Sequence, residues 1–446
     1  MGDRTLETTC CVVGGGPAGM MLGYLLARAG VAVTVLEKHN DFFRDFRGDS
    51  VHASTLELMY ELGILGDFLK VPHQQLRSVG GTVGGFSFRA ADFTRLPTHC
   101  KFVVLMPQWD FLNFLADKAR QYPGFGLRMQ NEAVDLIREG GRVRGVVAET
   151  PEGQVEIRSD LVVGCDGRHS RTREAGKFDI EELGVPIDVL WFRISSAGNE
   201  PEQLLGNINY GHVLVAIPRG DYLQTAFIIR KGSFESIKQQ GLPAFRENLR
   251  RIAPYLGGRV EELGDWNQIK LLSVQVNRLR RWYRPGLLCI GDAAHAMSPV
   301  GGVGINLAIQ DAVAAANILA APLREGRVTE YWLEQVQQRR EFPTRVTQFM
   351  QVNAHKLLQN ILNNPGPIAA PWQLKVVVNI PGIQHLPARL IGVGLRPEHI
   401  EDGRRKPACD VTMLRKIAIG AGLLAAGIVL GARIVRGGRR RRFAWG

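Results

Sequence analysis

Three glycines near the start of the chain have the spacing of a phosphate-binding turn. Gly14, Gly16 and Gly19 form G-x-G-x-x-G between a β-prone run and a helical run, and a second β-prone run, Val31–Leu36, then ends at Glu37. In dinucleotide-binding proteins such glycines let a pyrophosphate lie on the helix N-terminus, and the acid accepts hydrogen bonds from ribose hydroxyls. The spacing therefore predicts a site for an ADP moiety. NAD and FAD share this fingerprint, so alone it leaves the cofactor open.

Small residues recur at a second strand-to-helix junction, GDAAHAMSPVGGVGIN. An apolar run ends at Gly291 and Asp292, and Gly301, Gly302 and Gly304 then lead into a helical run. A helix that begins there points free N–H groups and the positive end of its dipole at whatever lies in front. Glycine backbone also permits the close approach of a flat or charged group. We therefore expect something flat or charged to lie close to the backbone at this junction.

Together with a third segment, these motifs resemble a known enzyme family. The segment LVVGCDGRHSRTR is another apolar run, and it ends in Asp166 and Gly167. In order and spacing the three motifs are similar to those of the flavoprotein aromatic hydroxylases, the single-component FAD-dependent monooxygenases of the p-hydroxybenzoate hydroxylase type. The resemblance extends over residues 8–400 and includes RDFRGDSVHASTLELMYELGIL and MPQWDFLNFLADKA.

The resemblance implies FAD as the bound cofactor and NAD(P)H as a transient electron donor. It implies that Asp292 binds the ribityl chain or pyrophosphate, and that the backbone from Gly301 to Asn306 follows the pyrimidine edge of the isoalloxazine ring. The backbone around Pro299 and Gly301 is expected nearest to flavin C4a, and no catalytic side chain is identified. The predicted FAD contacts are Gly14, Gly16, Gly19, Glu37, Arg47, Gln108, Asp166, Gly167, Gly291, Asp292, Pro299, Gly301, Gly302, Gly304, Ile305 and Asn306. No metal site is predicted.

Several nearby side chains keep more than one interpretation. By the same resemblance, Asp166 contacts both FAD and the path of the nicotinamide nucleotide. Arg44 is either a phosphate contact for that nucleotide or a solvated surface arginine. For His295 a structural role is favoured over a catalytic one, and for His52 the two interpretations are balanced. No general base for a phenol is assigned.

The positions of the motifs predict an α/β fold with four parts. These are a Rossmann-like FAD-binding domain, an inserted β-sheet substrate domain, a C-terminal helical region and a hydrophobic tail rich in arginine. Alternation of apolar and polar residues is the basis for the sheet. The predicted boundaries are 1–75, 101–180 and 276–330 for the FAD-binding domain, 76–100 and 181–275 for the substrate domain, 331–402 for the helical region and 411–446 for the tail.

Composition indicates a globular body with a basic tail. The 446 residues are 45% hydrophobic and 22% charged, which is ordinary for a globular protein. Ten of the twelve net positive charges lie in residues 403–446. The high pI is therefore a property of the tail, and nucleic acid is not a predicted partner. The six cysteines form no C-x-x-C pair, and no signal peptide is visible, so a reducing cytoplasmic location is expected.

The tail contains an uncharged stretch, Ile417–Ala432, that is close to the lower length limit for a membrane span. Gly427 and Gly431 have the spacing at which membrane helices approach each other. Three interpretations stay open: association with a membrane, which is favoured; a buried or dimer-forming helix; and a disordered tail. We expect a cytoplasmic enzyme attached to a membrane through residues 411–446.

These expectations combine into one leading function. The resemblance implies that NAD(P)H reduces the flavin, that O2 forms a C4a-hydroperoxide, and that an aromatic or lipophilic substrate is hydroxylated. The alternatives are an FAD-dependent reductase or epoxidase acting on isoprenoid or quinone-type substrates, and a non-catalytic flavin sensor. The expected partners are that small substrate and O2, with a membrane and a second copy of the chain as candidates.

Overall fold

The computed structural model describes residues 5–43, 50–198 and 204–401, and most of its strands lie in two large sheets. Its strands are β1 (Thr5–Val13), β2 (Val33–Glu37), β3 (Ser50–Val51), β4 (Gln74–Leu76), β5 (Ser78–Val83), β6 (Phe86–Asp92), β7 (Val103–Leu105), β8 (Phe125–Met129), β9 (Glu132–Glu139), β10 (Arg142–Thr150), β11 (Gly153–Gly164), β12 (Ile180–Glu182), β13 (Ile187–Ser195), β14 (Leu204–Asn209), β15 (His212–Pro218), β16 (Tyr222–Arg230), β17 (Lys270–Leu272), β18 (Asn277–Leu279), β19 (Tyr283–Arg284) and β20 (Leu287–Cys289).

The helices differ widely in length, and two long ones follow the second glycine-rich motif. They are α1 (Pro17–Arg28), α2 (Ala53–Glu61), α3 (Leu65–Phe68), α4 (Gln108–Ala119), α5 (Arg171–Ala175), α6 (Phe234–Gln239), α7 (Leu242–Ile252), α8 (Gly304–Arg324), α9 (Glu330–Leu362), α10 (Trp372–Val377) and α11 (His385–Gly392).

The first sheet brings distant parts of the chain to one edge. Its strands run in the order β19-β20-β11-β1-β2-β8, and β11, β1, β2 and β20 are parallel in their contacts. In register, Leu36 pairs with Val13, Val13 with Gly164, and Gly164 with Cys289. Because the carboxyl ends of parallel strands meet at one edge, the turns after these strands lie side by side. All the predicted motifs begin in those turns.

The second sheet joins the two predicted β-rich segments. Its order is β17-β13-β16-β15-β14-β5-β6, so β5 and β6 extend a sheet formed mainly by residues 187–272. One face packs against α7, where Phe192 and Phe245 meet edge to face with ring centroids 5.7 Å apart. The two sheets and the C-terminal helices confirm the predicted α/β class. The domain boundaries themselves stay predictions.

Helix α8 packs in the hydrophobic core beside the first sheet, which explains why the helix is apolar. Within the described ranges, Val300–Arg324 is long and apolar enough to cross a membrane, and 61% of its most apolar window is buried in the protein. Such burial is typical of a core helix. The predicted tail, residues 411–446, lies outside the described residues.

Candidate functional site

The turn between β1 and α1 has the backbone that the glycine spacing predicts. Gly14 has a φ of +106°, and a Cβ atom there would lie 2.6 Å from the carbonyl oxygen of Cys165. A Cβ atom on Gly19 would lie 1.9 Å from the carbonyl oxygen of Gly14. On Gly16, by contrast, it would meet no atom within 4 Å. The open space in front of α1 is therefore at Gly16, where free N–H groups favour a phosphate.

The carboxylate of Glu37 is held against this turn. Glu37 is the last residue of β2, and its Oε2 accepts a hydrogen bond from the backbone N–H of Gly15 at 3.1 Å. Its Oε1 accepts one from the backbone N–H of His39 at 3.1 Å. These bonds fix the acid beside the helix N-terminus, which is the position expected for a ribose contact.

The predicted contact Asp166 is already engaged by its own turn. Its Oδ1 accepts a hydrogen bond from Ser170 Oγ at 2.5 Å. Its Oδ2 accepts from the backbone N–H and the Oγ1 of Thr172 at 2.9 and 2.8 Å. Gly167 follows with a φ of +81° and open space around it. The side chain of Asp166 thus stabilises the start of α5, and its contact with a cofactor stays a prediction.

The second acid, Asp292, lies in a turn that contacts two helices. A Cβ atom on Gly291 would lie 3.3 Å from Ala18 Cβ of α1 and 3.1 Å from Ala308 Cβ of α8. Asp292 is paired with Arg168, whose Nη2 lies 3.2 Å from its Oδ2. The other terminal nitrogen of Arg168 is buried, and no described residue accepts a hydrogen bond from it. This turn therefore joins the phosphate-binding turn to the start of α8.

The loop before α8, residues 299–303, is fixed by side chains from its surroundings. Gly301 and Gly302 have φ values of +84° and +62°, a region that favours glycine. A Cβ atom on Gly302 would lie 2.6 Å from Ser50 Oγ, so only glycine fits without movement. Pro299 begins this turn, and no side chain caps the N-terminus of α8 at Gly304. Helix α8 therefore begins beside the loop with backbone N–H groups that no side chain caps.

The side-chain amide of the predicted contact Asn306 is not free, because it forms hydrogen bonds to neighbouring residues. Its Oδ1 accepts hydrogen bonds from the backbone N–H of His52 and from Thr55 Oγ1, both at 2.8 Å. Its Nδ2 donates to the carbonyl oxygen of Ser50 at 3.1 Å. Ile305 beside it is partly buried and packs against the core. These bonds hold the start of α8 on β3 and α2.

His52 and His295 are both buried and engaged by protein groups. His52 is 2% exposed, burial lowers its pKa to about 4, and its Nδ1 lies 2.8 Å from the carbonyl oxygen of Ile391. The ring is therefore neutral near pH 7. His295 is 1% exposed, and its Nε2 lies 2.6 Å from Asp311 Oδ2. Both rings therefore have structural contacts, and the choice between a structural and a catalytic role for His52 stays a prediction.

A buried charge cluster stands behind the Gly291 turn. Asp311 of α8 accepts hydrogen bonds from the backbone N–H of Gly291 at 3.1 Å and from Arg340 Nε at 2.9 Å. Arg340 Nη1 also donates to Glu398 Oε1 at 3.0 Å. Burial opposes the charge on Asp311, but His295 and Arg340 outweigh it and lower the pKa of this carboxyl group. The cluster thus connects the turn to the C-terminal segment.

Of the remaining predicted residues, Gln108 lies within the described ranges, and the two arginines do not. Gln108 begins α4, directly after β7, and Leu105 of β7 pairs with Ser50 of β3. It therefore lies near the strand that Asn306 contacts. Arg47 and Arg44 lie outside the described residues, so their roles stay predictions.

Sequence reasoning missed the side chains that orient the motifs. Arg168, Asp311, Arg340 and Glu398 were not selected, and Asp311 stands 20 residues from Gly291. One signal was available for Asp311, because it is the single acid in a helix that is mostly apolar. A buried acid of this kind needs a partner.

Comparison with known proteins identifies relatives across most of the chain. A family model described as "FAD binding domain" matches residues 7–350. The 6-methylpretetramide 4-monooxygenase of Streptomyces rimosus is 31% identical over 354 residues, which are 79% of this chain and 84% of that protein. A rifampicin monooxygenase of Streptomyces venezuelae is 27% identical over 401 residues, 86% of this chain and 78% of that protein.

Solved structures show the same fold. PqsL, described as a probable FAD-dependent monooxygenase from Pseudomonas aeruginosa, superimposes with a TM-score of 0.68 at 20% identity. The match covers 80% of this chain and 97% of that one. At this identity the likeness establishes the architecture and not the substrate.

Proposed function

The chain belongs to the FAD binding domain family, and on that premise we propose that it is a monooxygenase that uses NAD(P)H and O2 to hydroxylate an aromatic or lipophilic substrate. Its cofactor is FAD, and its relatives make it an FAD-dependent oxidoreductase. The use of NAD(P)H and O2, and the substrate class, belong to the proposal.

One relationship supports the proposal most strongly. The turn at Gly291 touches both the first turn of α1, at Ala18, and the first turns of α8, at Ala308. Two helix N-termini are therefore neighbours, one beside the open space at Gly16 and the other behind the Gly301–Gly302 loop. Both favour negative charge. FAD carries a pyrophosphate, and its reduced ring carries negative charge on the pyrimidine side, so the pair of helices suits one molecule of this cofactor.

The chain's own residues would bind and orient the cofactor. The N-terminus of α1 would hold the pyrophosphate, Glu37 a ribose hydroxyl, and Asp292 the ribityl chain or pyrophosphate. Asn306 and Ser50 would keep the loop backbone close to the ring. The N-terminus of α8 would stabilise negative charge on the reduced ring. Bound FAD supplies electron transfer from NAD(P)H and oxygen delivery to the substrate.

The second sheet offers a wall for a flat substrate. In register, Trp191, Ala226 and Val215 stand in one row that continues to Gly206 and Gly81. A Cβ atom on Gly206 would meet no atom within 4 Å, so this part of the row is not filled by a side chain. Val79 and Ile217, which share this face by alternation, pack against the cluster that contains Ala53 and Val393. The face is thus turned toward α2 and the C-terminal segment.

The relatives support an aromatic or lipophilic substrate. Two of them are named as a 6-methylpretetramide 4-monooxygenase and a rifampicin monooxygenase. The proposal for this chain is therefore a substrate of this class.

The functional test is aerobic NAD(P)H oxidation by the FAD-loaded full chain. Oxygen uptake and hydrogen peroxide would be recorded against a panel of phenols, quinones and larger ring systems. The proposal predicts that one ring class accelerates oxidation without a matching rise in peroxide. Flavin that NAD(P)H reduces without oxygen consumption would favour the reductase alternative. Bound flavin that no nicotinamide reduces would contradict the proposal and favour a sensor.

The proposal places the enzyme in the cytoplasm with its tail on a membrane. Support comes from the sequence, because the uncharged stretch 417–432 is flanked by basic residues on both sides. Apolar segments with basic flanks bind anionic membrane surfaces.

A further inference from the structure

The segment between α9 and α11 is rich in apolar residues and yet lies outside the core. Residues 363–387 all belong to the described ranges, and none of them is buried. At the centre of the segment is α10, and no residue of this helix is buried either. A short apolar helix is normally stabilised by burial of one face against other elements. The described residues therefore leave α10 without such a cover.

Four large apolar side chains of this segment are exposed to solvent. Trp372 is 67% exposed, and Val376, one helical turn later, is 55% exposed. Val377 and Ile380 are 45% and 46% exposed. The N–H of Ile380 donates to the carbonyl oxygen of Val377 at 3.1 Å, so Ile380 stays beside the end of the helix. These four residues form the α10 face, and clusters of exposed apolar side chains mark contacts with proteins or membranes.

The α10 face is held at one edge of the second sheet. β6 is the last strand in the order of that sheet. After α10, the carbonyl oxygen of Gln384 accepts a hydrogen bond from the N–H of Asp92 in β6 at 3.1 Å. Before α10, the N–H of Ile368 donates to Asn209 Oδ1 at 3.0 Å. Because both sides of α10 are bonded to the sheet, the exposed face is a fixed feature of the folded body.

The charge around the α10 face is positive. On the contacting strand β6, the carboxylate of Asp92 is paired with Arg89, whose Nη1 lies 3.2 Å from its Oδ2. Exposed apolar side chains with basic neighbours favour an anionic lipid surface, and tryptophan is enriched at membrane interfaces. Residues 342–397 contain no Asp or Glu, and their basic residues are Arg345, Lys356, Lys375, Arg389 and Arg396.

Two other occupants suit this surface less well. A second copy of the chain would bring two acid-free, basic surfaces together. The α10 face is also much smaller than the roughly 20–30 residues that each side of a stable interface contributes. The chain's own tail is basic as well, because ten of the twelve net positive charges lie in residues 403–446. Like charges repel, whereas an anionic bilayer complements both the charge and the apolar side chains.

The length of the chain after the described residues allows the α10 face to reach a bilayer. The described residues end at Glu401, and the uncharged stretch of the tail begins at Ile417. The residues between them can span at most about 50 Å. A tail on the membrane therefore keeps the body close to the lipid, and an exposed apolar face determines which side meets it. Stable attachment generally takes two signals, and the α10 face would add the second to the tail.

We propose that the α10 face lies on the surface of an anionic bilayer, with its four apolar side chains at the level of the lipid headgroups. Lys375, in the same helix, contributes attraction to the lipid charge. The inference rests on the membrane attachment proposed for the tail and assigns the surface of the folded body that faces the lipid. The β6 edge of the second sheet then lies next to the bilayer.

The first test is sedimentation of the FAD-loaded full chain with vesicles of equal parts phosphatidylglycerol and phosphatidylcholine. Trp372→Gln combined with Ile380→Gln removes apolar surface without changing a buried side chain, so the melting temperature should stay the same. We expect the apparent dissociation constant for the vesicles to rise about tenfold in this double variant. Leu271→Gln is the matched control, because Leu271 is 45% exposed and lies on β17 at the opposite edge of the same sheet. It should bind as wild type does.

Two results of this test would overturn the proposal. Equal vesicle binding by wild type and the double variant would exclude the α10 face and leave the tail as the attachment. Failure of the wild-type chain to bind these vesicles would overturn the proposal together with the membrane attachment of the tail. NAD(P)H oxidation by the chain without vesicles is a separate measurement, so either result leaves the proposed enzymatic activity intact.

A second test locates the contact by tryptophan fluorescence. In a full chain with Trp445→Phe, which removes the tryptophan of the tail, brominated phosphatidylcholine in the vesicles should quench the emission. Adding Trp372→Phe should remove most of this quenching, and unchanged quenching would contradict the proposal. Without lipid, acrylamide should reach Trp372. Protection of Trp372 from acrylamide would show that protein covers the face and would also overturn the proposal; sedimentation velocity would then identify a second copy by a dimer and the tail by a monomer.

Discussion

The carboxylate of Asp311 accepts a 3.1 Å hydrogen bond from the backbone N–H of Gly291, so a buried charge on α8 fixes the turn that carries Asp292. The same carboxylate contacts His295 and Arg340 at 2.6 and 2.9 Å. A hydrogen bond from a backbone N–H to a charged acceptor is stronger and shorter than a neutral one. The position of Asp292 therefore depends on an ion pair that does not itself face the cofactor.

Asp311→Asn should weaken both folding and FAD binding. The amide removes the charge that Arg340 and the Gly291 N–H require, and Arg340 stays buried at 1% exposure. Breaking a buried pair from one side costs about 3–5 kcal/mol. We expect a loss of that order in the free energy of unfolding and at least a tenfold rise in the FAD dissociation constant. Urea unfolding and flavin fluorescence titration measure the two effects. Asp117→Asn, on an exposed acid, is the control, and equal behaviour of both variants would contradict the assignment.

Gly16→Ala and Gly19→Ala make the same chemical change with different consequences. At Gly16 a methyl group meets no protein atom within 4 Å, so the apoprotein should keep its melting temperature. That methyl would occupy the space assigned to the pyrophosphate, and FAD affinity should fall at least tenfold. At Gly19 the methyl lies 1.9 Å from a carbonyl oxygen, so the apoprotein itself should be destabilised. Thermal melts of both apoproteins, followed by FAD titration, test the contrast. Wild-type FAD affinity in Gly16→Ala would place the phosphate elsewhere.

Burial of His52 should make stability depend on pH. Its folded pKa of about 4 lies below the usual value of 6.5, so the unfolded chain binds the proton more readily. The stabilisation is complete above pH 6.5 and is lost as the pH falls toward 4. Between pH 7 and pH 5 this histidine should account for about 2 kcal/mol of lost stability. Urea unfolding at both pH values should show that His52→Gln loses less stability than wild type, and that the difference is this amount. His169→Gln, at an exposed position, should match wild type. An unchanged pH dependence in His52→Gln would show that this ring is not the source.

Removal of residues 411–446 tests the membrane proposal. The full chain should sediment with vesicles that contain anionic lipid, and it should be released by high salt or detergent. The truncated chain should stay in the supernatant while its FAD content is unchanged, because every described contact of the site lies before residue 402. Equal partitioning of the two chains in a vesicle sedimentation assay would remove the support for a membrane role of the tail.

Local features of the site follow from the sequence, because single residues determine them. The backbone at Gly14 and Gly301 requires positive φ, and the G-x-G-x-x-G spacing places a helix N-terminus beside it. One boundary shows the limit of such reasoning. β2 begins at Val33 rather than Val31, because the N–H of Val31 bonds to the carbonyl oxygen of Leu26 and completes the cap of α1.

Contacts between distant segments could not be predicted in the same way. Arg168 and Asp292 are 124 residues apart, and Arg340 and Glu398 are 58 apart. A sequence indicates that a buried charge needs a partner, but packing in three dimensions decides which one it meets. Asn306 is a second example. Its position was predicted at the site, whereas its amide binds Ser50 and Thr55 instead of remaining free for a ligand.

The proposed activity is the transfer of one atom of O2 to an organic ring. The most direct measurement uses the FAD-loaded full chain with NAD(P)H, ¹⁸O2 and the ring compound that most accelerates NAD(P)H oxidation, with the product analysed by mass spectrometry. We expect one ¹⁸O atom in each product molecule and little hydrogen peroxide. A product without ¹⁸O, or complete recovery of the consumed oxygen as peroxide for every compound tested, would contradict it.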